Sequence, residues 1–589
     1  MEFLYCDMLL LWFDAGILVM ITISLGILFQ LGLEKFMRVA IRPDLMSIFL
    51  AGLILSTVYF NLLSFCFPVN YWTLLPLAAV SILTFIRSGD RYHALLYSVT
   101  RQAPVIRPWL LPFFCMGLLL FLYGIKPPTN PDSVIYHFLS ILWGEKYKVV
   151  PGLANLYEPY AYNQASFIIQ SAYSFTGLTG QSLYPLNGVL STLFLFWILA
   201  RVYAYRNSVR GLVYFLFLVI SYRYLLGNLS SPSSDQLFQI CLSYSLVRIC
   251  EILISGEIDI PLLVLPCIIL LFAPAAKLSA YPALLPLLFV FFLLQKKEGG
   301  FRLTLLLSCI ALLIYLPWMG RNYIMSGYLA FPYPHLSPFH PDWKVPEKIM
   351  KEGYLLIRNL PRMLPDDHAT LALQRQVSFL DWFLPMFRKQ FTNHFYFELS
   401  ILVAALASPL LWILLRIRQI RIQALPFIFW LILYSCCWLW LVNAPDYRYG
   451  IPFLTACVFV PLLICSPEPA GRSKRGLLNQ KILSLMFILT TAYYCYGMVG
   501  LMRYYRAKRT EPVSWKEGWL VPPRNAFYKQ ADKNDSFPYR MLNAGVKLYL
   551  ADRGHRCINA GLVCAFEGNL VQVEMRGQRV EDGFKPADP

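Results

Sequence analysis

Charge is what this chain has least of. Asp, Glu, Lys and Arg together make up 14% of its 589 residues, where a soluble domain carries about a quarter. Long uncharged runs such as Gly16–Leu33, Leu110–Tyr123 and Leu284–Leu294 stand where soluble domains would need a polar surface. With 58% hydrophobic residues and a mean hydropathy of +0.53, the chain reads as an all-α polytopic membrane protein. The fingerprints of soluble enzymes are missing too: there is no Walker A sequence, no dinucleotide-binding glycine pattern, no HExxH and no CxxC. The opening MEFLYCDMLLLWFDAG lacks a basic n-region and a small-residue cleavage site, and reads as a retained first span rather than a signal peptide.

What charge there is sums to +18. Its Lys and Arg fall in short clusters between apolar runs rather than along one amphipathic face, which argues against a nucleic-acid partner and for a topology signal. Of the 14 cysteines, all but Cys557 and Cys564 lie in or beside apolar spans, where a free thiol behaves as a small hydrophobe. Those two sit in polar sequence and are candidates for a local disulfide in an oxidising compartment.

Apolar runs long enough to span as helices lie near 10–33, 45–64, 70–86, 109–125, 183–203, 209–227, 235–254, 260–275, 278–294, 303–320, 398–416, 424–442, 449–466 and 481–502. That is about fourteen spans, with 260–275 and 278–294 reading as a helical hairpin. One set of loops holds Lys35, Arg38, Arg42, Arg87, Arg91, Arg201, Arg206, Arg210, Lys296, Lys297, Arg416 and Arg418, whereas the opposing short loops at 65–69, 228–234 and 443–448 hold only Arg448. The basic set is therefore expected in the cytoplasm. Counting 163–178 as a further span would put Arg201, Arg206 and Arg210 outside, so 133–147 and 163–178 are read as helices lying in the outer interface. Outer segments then cover 126–182, 321–397 and the polar tail 503–589. Arg503, Arg506, Lys508 and Arg509 pull that tail toward the cytoplasm, and the cysteine pair pulls it outward. Three regions follow: extra spans over 1–108, a core over 109–502, and the tail.

Ionisable residues beside span ends are costly, which makes them the functional candidates. Asp132, in KPPTNPDSVIYHF, stands at the start of an interfacial helix, where it caps backbone N–H groups or serves as a general base or metal ligand. Asp235, in NLSSPSSDQLFQ, begins a span, with Ser233 and Ser234 competing for its capping role. Lys277, in APAAKLSAYP, either snorkels or binds a lipid phosphate. Arg321–Asn322 lead the chain out of a span, and Asp446–Arg448, in NAPDYRYGIPF, form a local pair or present a guanidinium fork to phosphate. His335 and His340 in a Pro-rich loop have no third ligand nearby and read as surface histidines rather than a metal site. One topology puts Asp132, Asp235, Lys277, Arg321, Asp446 and Arg448 on the same outer surface.

That arrangement resembles the GT-C glycosyltransferase superfamily, which includes protein O-mannosyltransferases and the lipid A aminoarabinose transferase. The matching positions are Asp132 in PDSVIYH, Asp235 at the outer start of a following span, Lys277 in AAKLSAYP, and Arg448–Tyr449 followed by Pro452. More narrowly, PDSVIYH, KVVPGLANLYEPYAYNQASF, PWMGRNYIMSGYLAFPYP and RGQRVEDGFK resemble a little-characterised bacterial family of polytopic proteins related to that superfamily. The resemblance covers the chain from about 109 onward. It departs where many members carry a second acid directly after the first: here Ser133 follows Asp132. Glu158 is the candidate stand-in, and a divalent metal is left open as a cofactor.

The resemblance implies a GT-C-like core in the bacterial cytoplasmic membrane with an outward-facing site. The donor would be a polyprenyl-phosphate-linked sugar, and the acceptor a cell-envelope glycan, lipid or protein. Lys277, Arg321 and Arg448 would bind the donor phosphate, Asp132 and Asp235 would be the catalytic acids, and transfer would invert the sugar. His137, one turn after Asp132, would tune a proton or simply pack at the interface. Two other classes compete. A transporter, flippase or assembly protein for an envelope polysaccharide would show a charged path at mid-bilayer depth. A non-catalytic relative would tolerate loss of both acids.

Overall fold

The computed structural model describes residues 6–100, 130–179 except 131, 182–362 except 334, and 378–466 except 393, 394 and 421. It also describes scattered positions within 481–496, and residues 538–551, 557, 561–566 and 573–587. Among them are nine helices long and apolar enough to cross a membrane, or up to eleven if each of two bent pairs counts as one span. Those bent pairs are Tyr71–Arg87 with Gly89–Tyr97, at 81°, and Tyr396–Leu406 with Ser408–Ile417, at 46°. Together with the shorter apolar helix Ile260–Ala276, these elements coincide with every expected span inside the described residues. The spans expected at 109–125 and 481–502 lie outside them, apart from scattered positions of the latter.

The first two helices, Cys6–Met37 and Leu45–Leu63, touch backbone to backbone. A Cβ on Gly26 would lie 2.0 Å from Ile48 O, and one on Gly52 would lie 1.8 Å from Thr22 O. Small residues permit this approach where helices pack by van der Waals contact within a bilayer. Asp44 caps the second helix through Ser47 N at 2.9 Å. It also accepts from Trp197 Nε1 and Tyr244 OH, both at 2.9 Å, tying this hairpin to the helices Leu186–Ala204 and Asp235–Ser255.

The Asp235–Ser255 helix is the axis of the core, packed against Ile260–Ala276, Tyr447–Cys465 and Leu186–Ala204. At its basic-loop end Glu251 binds Arg201 at 2.6 Å and Arg248 at 2.5 Å. Its other end begins at Asp235, about 24 Å away at 1.5 Å per residue.

On that second end sits a layer of short elements: a π-helical turn Ser133–His137, helix Phe138–Lys146, one turn Leu153–Leu156, a 3₁₀ turn Glu158–Ala161 and helix Ala165–Tyr173. The segments 133–147 and 163–178, expected as short helices, are indeed helical over Ser133–Lys146 and Ala165–Tyr173. The aromatic faces of this layer form a second apolar cluster, separate from the bundle core, that includes Tyr136, Trp143, Tyr160, Phe331 and Phe584.

The tail contributes strands, a feature the hydropathy pattern did not suggest. Tyr539–Met541, Lys547–Ala551 and Cys564–Phe566 form one sheet, antiparallel then parallel, and Val573–Met575 pairs with Phe584–Pro586. Cys557 and Cys564 are joined in a disulfide. The tail docks on the interfacial layer through Phe584 N to Pro151 O at 2.9 Å, Tyr160 OH to Cys564 O at 3.0 Å, and Arg576 Nε to Asp342 Oδ2 at 2.7 Å. Gly152 is required here: its φ is +64°, and a Cβ would lie 1.9 Å from Phe584 O. The described tail therefore shares a side with the loops after residues 130 and 326. The basic group Arg503–Arg509 lies outside the described residues.

Candidate functional site

Asp132 does not cap its helix. Its own backbone is already helical, at φ −59° and ψ −25°, and its side chain makes no capping bond. Asn130 takes that part, its Oδ1 accepting from Asp132 N at 3.0 Å. The carboxylate of Asp132 is thereby left for a distant partner, and it accepts from Arg448 Nη1 at 3.0 Å. The turn that follows is π-helical, a conformation that often marks functional positions. Ser133 within it is bonded to Ser231, Oγ to Oγ, at 2.6 Å.

Asp235 is likewise released from capping. Its amide donates to Ser233 Oγ at 3.1 Å. The loop before it is fixed by Asn187 Nδ2, which donates to Ser231 O and Ser233 O at 2.8 and 2.9 Å, and by Gln170 Nε2, which donates to Pro232 O at 3.0 Å. The buried Asp235 carboxylate binds the ammonium of Lys277 and lies 3.7 Å from Arg448 Nη1. Lys277 does not snorkel. Its side chain is 11% exposed, and its ammonium sits over the Tyr449 ring at 4.6 Å and the Phe238 ring at 5.7 Å. It reaches this position because Ile260–Ala276 ends there and the backbone turns extended at Lys277.

Arg448 closes the group. Asp446 caps the Tyr447–Cys465 helix by accepting from Arg448 N at 2.9 Å. It also holds the guanidinium through Nε at 3.0 Å and Nη2 at 2.8 Å. The local pair with Asp446 is realised, and the same side chain reaches Asp132 through its remaining nitrogen. Gln239 Nε2 donates to Arg448 O at 2.6 Å, and Trp440 Nε1 to Asp446 O at 2.8 Å, anchoring the turn to two helices. Side-chain exposure runs from 37% at Arg448 and 28% at Asp132 down to 1% at Asp235. Asp132 and Arg448 face the open side, and Asp235 forms the floor.

His137 lies 2% exposed beside the cluster. Burial holds its imidazole down to about 4, with Lys277 and Arg448 assisting and Asp132 and Asp235 opposing. It is neutral near pH 7, stacks edge-on to Tyr136 at 4.5 Å, and lies 3.4 Å through Nδ1 from Ser231 Oγ. Packing accounts for it.

Three other candidates stand apart. No described hydrogen bond or ion pair joins Arg321, Asn322 or Glu158 to the cluster. Arg321 Nε donates to Asn163 Oδ1 at 3.0 Å, and Asn322 Nδ2 donates to Trp318 O within its own helix at 3.1 Å. Glu158 accepts from Tyr162 OH at 3.4 Å and lies so close to Gly353 that a Cβ there would sit 1.8 Å from its Oε1. Burial pushes the Glu158 carboxyl up to about 7; the Tyr162 bond opposes this and Glu352 adds to it. Tyr157 lies close enough to both Glu158 and Asp132 to feel both charges. His340 lies at the surface, bonded through Nδ1 to Lys344 Nζ at 3.0 Å, and the Tyr333 ring stands 5.3 Å from His335.

Among the described residues no three His, Cys, Asp or Glu side chains converge to hold a metal ion. The acids of the cluster already have Arg448 and Lys277 as counter-cations. Asn130 and Gln239 are not among the residues singled out by sequence, and Tyr449 enters there only through the resemblance. Only Asn130 had a local signal, an Asn two residues before the acid, which is the spacing of an Asx turn.

Neither a curated protein nor a solved structure matches the chain. A family model described as a domain of unknown function (DUF8201) matches residues 8–455, a range that contains Asp132, Asp235, Lys277, Asp446 and Arg448 and stops before the tail. Well over half of the sequence lies within that match, and the chain belongs to the DUF8201 family.

Proposed function

We propose that this protein is a GT-C-type glycosyltransferase of a bacterial cytoplasmic membrane, moving a sugar from a polyprenyl-phosphate donor to a cell-envelope acceptor at the outer face. The observation that carries it is the convergence of Asp132, Asp235, Lys277, Asp446 and Arg448 at one end of the bundle. A donor phosphate there would take the positive charge of Lys277 and Arg448, which also stabilises the charge that develops on the leaving group. Asp132, the more exposed acid, would accept the acceptor hydroxyl's proton. The new bond forms from that oxygen to the anomeric carbon, the bond from that carbon to the phosphate oxygen breaks, and the electron pair leaves on phosphate. Attack from the opposite face inverts the sugar. Asp235 is buried and doubly paired, so it acts by positioning the two cations.

The distribution of charge favours this over transport. Ionisable residues of the described spans gather near span ends, around Asp235 and around Arg201, Arg248 and Glu251, rather than along a path at mid-bilayer depth. The test is Asp132→Asn in a strain with a visible surface glycan. Loss of the glycan at normal membrane abundance is expected; an unchanged glycan would remove Asp132 from catalysis.

A further inference from the structure

Arg321 is 8% exposed, and among the described residues it has no carboxylate partner. Its described bond is to a neutral amide, Asn163 Oδ1 at 3.0 Å. A buried guanidinium in that state carries an uncompensated desolvation cost. It lines a cavity between Phe138–Lys146, Ala165–Tyr173 and the end of Gly300–Ser326, with room for about 30 Å³. That lining contains two cations, Arg321 and the exposed Lys148, and no carboxylate. Trp143 and Ser140 also line it, and among the described residues the buried Trp143 indole N–H and Ser140 Oγ have no partner. Buried donors are nearly always satisfied by protein, water or ligand.

We infer that this cavity is an anion site, separate from the Asp132–Arg448 cluster, that takes the oxyanion of a phosphate group. Arg321 and the Trp143 N–H supply donors inside, and Lys148 supplies charge at the solvent side. The cavity is small, so it admits the oxyanion end of a larger group whose remainder stays outside. The same chemistry is offered by free phosphate and by an anionic lipid headgroup. Lipid is within reach because the cavity lies in the interfacial layer.

The test uses the full chain purified in a neutral detergent, with thermal unfolding followed against inorganic phosphate. Parallel arms add phosphatidylglycerol or phosphatidylcholine. Wild type should show a saturable rise in midpoint with phosphate or phosphatidylglycerol and none with phosphatidylcholine. A response to phosphatidylglycerol alone identifies the lipid headgroup as the source, and a response to phosphate alone the free ion. Arg321→Gln should move the titration to at least about tenfold higher concentration, as loss of a charge-assisted bond does. Trp143→Phe, which keeps the ring packing and removes only the N–H, should move it the same way, and serves if Arg321→Gln fails to fold. Lys351→Gln, an exposed cation outside both sites, should leave the titration in place. The inference is overturned if neither anion gives a saturable rise, or if Trp143→Phe and Arg321→Gln both leave the curve where wild type has it. Sugar transfer is not the readout, so this failure is distinct from failure of the glycan test.

Discussion

Arg448 donates through Nη1 to Asp132 Oδ2 at 3.0 Å across 316 residues of sequence. The same guanidinium holds Asp446, two residues before it, through Nε and Nη2. One planar fork therefore locks the start of the Tyr447–Cys465 helix to the interfacial layer above it. A lysine could carry the charge but not both contacts at once.

Arg448→Lys should for that reason cost transfer far more than folding. Losing one preorganised donor at a developing anion typically lowers turnover by roughly 10²- to 10³-fold, while Asp446 still caps its helix. Glycan output normalised to membrane abundance measures the first effect, and the thermal midpoint in detergent measures the second. Equal losses in abundance and output would assign Arg448 to folding alone.

Asp235 and Lys277 should behave as a coupled buried pair. Asp235→Asn leaves a buried ammonium without its carboxylate, a change that costs about 3–5 kcal/mol. Combining it with Lys277→Met should return much of that stability, because both charges then leave the interior. Additive losses in the double variant, read from unfolding in detergent, would show the two to be independent.

Two buried groups should oppose each other in the pH dependence of stability and leave it nearly flat between about 4.5 and 6.5. Folded Glu158 keeps its proton up to about 7, whereas the unfolded carboxyl releases it near 4.5. Between those values the folded state holds more protons, so stability drops as pH rises, by up to about 3 kcal/mol. His137 works in the opposite sense. The folded imidazole resists protonation down to about 4 against an ordinary 6.5, so stability drops as pH falls through that window. Glu158→Gln leaves the His137 effect unopposed, so the variant's stability should rise with pH between about 4.5 and 6.5, where wild type stays nearly flat. Identical profiles for the variant and wild type between pH 5 and 7 would contradict this account of Glu158.

The disulfide should matter for the tail and little for the bundle. Cys557 and Cys564 close a loop with a sequence separation of 7, for which chain-entropy bookkeeping gives roughly 2–3 kcal/mol. Cys557→Ser should speed hydrogen exchange in Lys547–Ala551 and Cys564–Phe566, and reductant should reproduce the effect in wild type only. Unchanged exchange in those strands would mean that docking on Pro151 and Tyr160 suffices to hold them.

Sidedness has its own check. Alkaline phosphatase fused at about 150, 360 or 540 should be active, and fused near 100 or 300 inactive, as expected from the basic loops. Activity at 150 without activity at 540 would separate the tail from the interfacial layer on which it docks here.

The spans were legible because hydropathy is local: a run of about 20 apolar residues is enough to make one. The side on which sparse charges collect was legible for the same reason, since Lys and Arg in short loops report orientation without reference to partners. Burial of Cys241, Cys250, Cys267, Cys436, Cys437 and Cys457 also followed from their immediate neighbours, whereas Cys66 and Cys309 are exposed. Convergence did not. Asp132 and Asp235 both looked like helix caps, and only the positions of Asn130 and Ser233 freed them for Arg448 and Lys277. Arg321 had the same credentials as Arg448, yet it faces Asn163 and a separate cavity. Glu158, the candidate stand-in for the missing second acid, bonds Tyr162 and packs against Gly353, partners that its sequence position did not announce. Composition and periodicity settled that this chain is a membrane-embedded helical bundle with a few charges at one end. Which of those charges share a site was decided by helix rotation and loop closure, since a helix turns about 100° with each residue and ion pairs act only within a few ångströms.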